Sequence, residues 1–162
     1  MKKIIAIAAA LLLTVTSFAQ TGKSIYNKYS DADDVSAVYI SPAMFRLIGK
    51  LPDMNMGGEN DVNISPLIKS LDGFYLINSR NGSINDNLKA EAEKLIKNGS
   101  YELLMEVKDH GETVRMYTTG DDKVVTSFLM LASEKEECTF ICMDGQMSRK
   151  DLEKAISSDI SE

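Results

Sequence analysis

Tryptophan is absent from this 162-residue chain, histidine occurs once and cysteine twice. Each scarcity removes something. With His110 alone, the metal-binding pattern H-E-x-x-H is impossible. The lack of tryptophan weakens a sugar-stacking reading. Cys138 and Cys142 lie in "ECTFICM", which alternates like a strand. Four residues along a strand span about 13 Å, whereas a disulfide needs Cα atoms within about 7 Å. These two should therefore stay unpaired and pack as small apolar groups. No metal ligand set forms around them, because zinc usually takes three or four protein ligands and no histidine stands near. Also missing are the G-x-S-x-G elbow, the S-x-x-K nucleophile and both glycine-rich phosphate loops. No catalytic residue and no cofactor site is assigned.

One apolar run is present, and it is short. "MKKIIAIAAALLLTVTSFAQ" has basic Lys2 and Lys3, an apolar stretch from Ile4 to Val15, and small Ser17 and Ala19 around Phe18. That is the order of a secretory signal peptide. A membrane-spanning helix would need about 20 apolar residues. Cleavage is expected between Ala19 and Gln20, giving a periplasmic or extracellular chain with no stable membrane anchor. Removing 19 of 162 residues leaves 143, enough for one domain. Two of the 18 basic residues leave with it, so the net charge falls from −6 to −8. Such an acidic surface opposes nucleic acid and anionic membranes. The expected organisation is a signal peptide (1–19), a lead segment (20–34) and one domain (35–162).

Local patterns then give the elements. "GKSIYNKYSDADD" suggests a helical turn and a polar loop, and "VSAVYIS" a first strand. Ser41 and Pro42 begin a helix with the stripe Met44, Phe45, Leu47, Ile48 and Leu51, and Pro52 stops it. Ser65 and Pro66 repeat the start signal before "LIKSL", which Gly73 breaks. "FYLINS" is a second strand. Ser83, with Asp86 three residues on, caps a helix whose buried face is Ile84, Leu88, Ala92, Leu95 and Ile96, closed by Gly99. "YELLMEV", "TVRMYTT", "VVTSFLML" and "CTFICM" follow as four strands joined by links short enough only for antiparallel neighbours. The third of these is apolar on both faces and belongs inside the sheet. Ser148 and Asp151 start a last helix that buries Leu152, Ala155 and Ile156. The fold class is α+β: an antiparallel sheet of five or six strands, helices mainly on one face, in the order β-α-α-β-α-β-β-β-β-α.

The polar candidates carry little chemistry. His110 lies between Asp109 and Gly111 where two strands reverse. A three-residue hairpin ending in left-handed Gly111 leaves the imidazole in solvent with nothing to orient it. "SDADD" starts like a calcium loop, but its glycine and closing glutamate are missing, so Asp31, Asp33 and Asp34 form a solvated turn. Met54 and Met56, in a Gly- and Asn-rich loop, are soft enough for Cu(I) but lack a neighbouring histidine.

"VSAVYISPAMF", "LDGFYLINS", "YELLMEVKDHGETVRMYTT" and "FLMLASEKEECTFICMDGQMSRKDLEK" together resemble the domain of unknown function 4252 family. The resemblance runs from about Ile25 to Ile156. It implies a small exported bacterial protein of one domain and transfers no catalytic or ligand residue. The function expected is a non-catalytic envelope module that binds a partner protein or a small ligand. The alternatives are a hydrolase using carboxylates alone and a copper protein using Met54 and Met56.

Overall fold

The computed structural model describes residues 21–48 and 68–153. The elements are α1 (Gly22–Tyr29), β1 (Val35–Ile40), α2 (Pro42–Ile48), β2 (Leu71–Ser79), α3 (Gly82–Asn98), β3 (Glu102–Asp109), β4 (Glu112–Gly120), β5 (Val124–Ser133) and β6 (Cys138–Ser148). Residues 149–153 are helical. All six strands join one antiparallel sheet in the order β1-β2-β6-β5-β4-β3. Both the fold class and the element order match the sequence expectation. Among the described residues, no helix is long and apolar enough to cross a membrane.

Side-chain alternation divides the sheet into two faces. On one, Tyr75 and Ile77 of β2, Cys138, Phe140 and Cys142 of β6, and Leu129 and Leu131 of β5 form the main core. Helices α1 and α3 cover it with Ile25, Tyr29, Leu88, Ala92 and Leu95. Gly22 lets α1 settle this low, because a Cβ there would lie 2.4 Å from the Cys142 sulfur. The opposite face holds a second cluster at one end, where Phe45 of α2 and Leu152 meet Val125, Phe128 and Met147.

Several local starts and stops fall elsewhere than the sequence suggests. Of the α2 stripe only Phe45 is buried, while Met44 and Leu47 are exposed; Leu51 lies outside the described residues. Strand β2 begins at Leu71, and Gly73 belongs to it. The Tyr75 hydroxyl would be 2.5 Å from a Cβ at Gly73, so this glycine makes room for a ring and does not break the chain. Helix α3 is capped by Asn81, whose Oδ1 accepts from Ile84 N at 3.4 Å. Ser83, the expected cap, donates to that same oxygen at 2.9 Å. At the other end the left-handed residue is Ser100 (φ 54°), not Gly99. Gly99 is needed because a Cβ would lie 2.7 Å from the Tyr101 ring. The Ser148 cap is as expected: its Oγ accepts from Asp151 N at 3.4 Å, and Leu152 is buried. Ala155 and Ile156 lie outside the described residues.

Candidate functional site

A concave polar region lies at one end of the sheet, where β2 and β5 end and β6 and α3 begin. Glu137 sits at its centre. One carboxylate oxygen accepts from Asn78 Nδ2 at 2.5 Å and the other from Arg80 Nε at 3.1 Å. These donors, Asn78 first, hold the carboxyl below its ordinary range. Beside it lies a shallow cleft of about 390 Å³, lined by Asn85, Asp86, Lys89, Lys135, Glu137 and Cys138. Asn85 Nδ2 donates to the Glu136 carbonyl at 3.0 Å, and its buried Oδ1 has no partner among the described residues.

Carboxylate catalysis needs an acid held protonated near neutral pH. Among the described residues, the three carboxyls whose proton affinity is displaced all move the other way. Lys108 and Arg115 lower Glu106, the Val124 and Lys123 amides lower Asp121, and Asn78 and Arg80 lower Glu137. Each is held as an anion and suited to pairing, not to donating a proton.

Both thiols are also kept out of chemistry. Burial raises Cys138 to about 11 and Cys142 to about 12. The thiolate is the nucleophile and the metal ligand, and burial disfavours that form of both sulfurs at neutral pH. Cys142 lies within a polar chain that runs from Tyr101 to Asp144. Tyr101 OH donates to Ser127 Oγ at 2.8 Å, Ser127 Oγ lies 3.5 Å from the sulfur, and the thiol donates to Asp144 Oδ1 at 3.6 Å. Both cysteines are free and lie on the same face of β6, as the strand reading requires.

Of the residues singled out by sequence, Ala19, Gln20, Met54 and Met56 lie outside the described residues. His110 is on an exposed turn, but the turn has two residues and not three. Asp109 pairs with Glu112, and His110 and Gly111 both have positive φ (43° and 98°). This is the primed turn whose twist matches a tight hairpin. Its side chain is 95% exposed, and Nδ1 contacts the Asp109 carboxylate, so an adjacent group does orient the ring. That contact is solvent-exposed, and the neighbouring Gly111 lines the cleft. Asp31, Asp33 and Asp34 are exposed, with Asp34 in the left-handed region (φ 59°). Among the described residues no His, Cys, Asp and Glu side chains group to hold a metal.

Sequence reasoning missed the free edge of the sheet. Strand β3 contains no buried residue. Leu103 (50%), Leu104 (42%) and Val107 (46%) are three of the seven large apolar side chains left exposed among the described residues. The signal was the unbroken "LLM" within "YELLMEV", which departs from strict alternation. A bulge between Leu103 and Met105 accounts for the departure.

The family model for the domain of unknown function (DUF4252) matches residues 29–155. No curated protein and no solved structure matches the chain. The match spans all six strands and every buried core residue except Ile25, from the last residue of α1 to beyond Leu152, and the chain belongs to the DUF4252 family.

Proposed function

We propose that this protein is an exported, non-catalytic interaction module that receives a partner protein along β3. The observation that carries the reading is the exposure of Leu103, Leu104 and Val107 on an edge that is unpaired among the described residues. An edge strand offers a row of free backbone N–H and C=O groups, and apolar side chains beside it add affinity. The opposite edge, β1, is six residues long, and its Tyr39 is already stacked on Tyr75 with ring centres 5.3 Å apart. The downward-shifted carboxyls and the protonated thiols speak against the hydrolase alternative.

The test is site-specific crosslinking in the native host, with the photoreactive residue at Val107 or, as a control, at Asp86 in the polar cleft. Adducts from position 107 support the edge reading. Adducts from position 86 alone would replace it with the cleft. The export half is read separately by intact mass. The mature chain is expected to begin at Gln20, and Ala19→Leu to block cleavage because the peptidase admits only small side chains there. A mass retaining residues 1–19 would overturn export.

A further inference from the structure

We propose that the partner taken by β3 is a second copy of this chain, related by a two-fold axis at Val107. The proposal rests on the edge-strand reading, and its argument begins with the turn. Asp109 and Glu112 close a two-residue loop and so form a hydrogen-bonded pair. Such pairs alternate along an antiparallel ladder, so Val107–Val114 is bonded to β4 and Glu106 and Lys108 turn their backbone groups to the free side. Only registers that join Glu106 and Lys108 to each other, or to themselves, satisfy both copies.

Side chains choose among these registers. With the axis at Val107, Glu106 faces the second copy's Lys108, and Lys108 faces its Glu106. The two valines meet at a non-bonded pair, where side chains approach most closely. Opposite charges directly across strands stabilise, and like charges do the reverse. An axis at Glu106 would set two carboxylates against each other. An axis at Met105 would place the free groups of Lys108 beyond the bulge that ends regular pairing between Leu103 and Met105. Within one copy Lys108 Nζ already lies 2.8 Å from Glu106 Oε1, and Arg115 also holds Glu106. The charges are therefore oriented on one face before the copies meet. On the other face Val107 is 46% exposed. A two-fold contact also closes, consuming both β3 edges, whereas β1 pairing with the second copy's β3 would extend without limit.

Charge variants test this directly. Wild-type mature chain should sediment as a concentration-dependent monomer and dimer. Glu106→Lys alone puts lysine against lysine, and Lys108→Glu alone puts glutamate against glutamate. Each is expected to weaken self-association on the order of tenfold. An equimolar mixture of the two variants should associate again, since both cross-strand pairs become opposite in charge. Circular dichroism checks that each remains folded. Val107→Cys supplies a second readout. Cα atoms at such a pair are about 4.5 Å apart, within disulfide reach, so oxidation should give a covalent dimer while Lys97→Cys on α3 does not. A wild type that stays monomeric at every concentration, variants whose mixture fails to associate, or open-ended larger species would overturn the proposal. If the wild type is monomeric yet Val107 crosslinks to a different protein in the host, the second copy is rejected and the edge reading stands. If position 107 gives no adduct at all, both fall.

Discussion

Strands β6 and β3 have similar lengths, 11 and 8 residues, and opposite circumstances. In β6, Cys138, Phe140, Cys142 and Met147 are buried, with neighbours on both sides and helices above. In β3 nothing is buried, and among the described residues no strand pairs with its outer side. Yet both read from sequence as apolar strands. The difference teaches that composition identifies a strand, whereas its place in the sheet decides what the apolar residues are for. In β6 they hold the fold together; in β3 they remain available.

The contrast breaks most visibly at Phe140. It is fully buried in the main core, so Phe140→Ala should cost about 3–5 kcal/mol in urea unfolding. An effect near zero would mean that the core is elsewhere. Gly22→Val should cost about 1–3 kcal/mol, because the new carbons must displace Cys142 or lift α1. Asn81→Ala should cost about 1 kcal/mol, as loss of a helix cap does, and more than Ser83→Ala. Equal costs would return the cap to Ser83. On β3, Leu103→Thr should change monomer stability by no more than about 0.5 kcal/mol while reducing crosslinking from position 107. His110→Ala should also stay within about 0.5 kcal/mol and leave crosslinking unchanged. A large loss at either site would erase the distinction between the two strands.

Acid sharpens the same distinction at the end of the sheet. Glu137 has its proton affinity lowered in the fold, so its contribution is present above its ordinary value of 4.5 and is lost as pH falls through the lower folded value. Glu137→Gln should therefore flatten the acid limb of the stability curve. The thiols act at the opposite extreme. Burial raises Cys142 from 9 to about 12, so the native state is favoured fully below pH 9 and loses that advantage as pH rises toward 12.

Much of the architecture was legible because short-range chemistry dictates it. Hairpin links of two to four residues force antiparallel neighbours, and a strand apolar on both faces, β5, lies inside the sheet. Boundaries were less legible where two adequate residues compete. Asn81 and Ser83 can each cap a helix, and the extended backbone at Asn81 (φ −96°, ψ 113°) decides between them. Gly73 and Gly99 read as breakers, but each makes room for a tyrosine ring two residues on. No local pattern could reveal that. The candidate edge was least legible. Its exposure follows from β3 lying last in the sheet, a property of the whole topology and not of "YELLMEV" itself.

That topology has a consequence in time. The strand that joins β2 to β5 is β6, the last of the six along the chain. During synthesis the β1–β2 pair and the β3–β4–β5 meander can each assemble as it emerges, but both must wait with an inner edge unpaired. Cys142, on which Gly22 of the first helix rests, is about 120 residues downstream of it. Loop closure over such separations slows folding and prolongs exposure of sticky edges. A nascent chain halted before Cys138 would hold two apolar half-sheets with nothing to join them, and it is in that interval that the polypeptide most needs to be shielded.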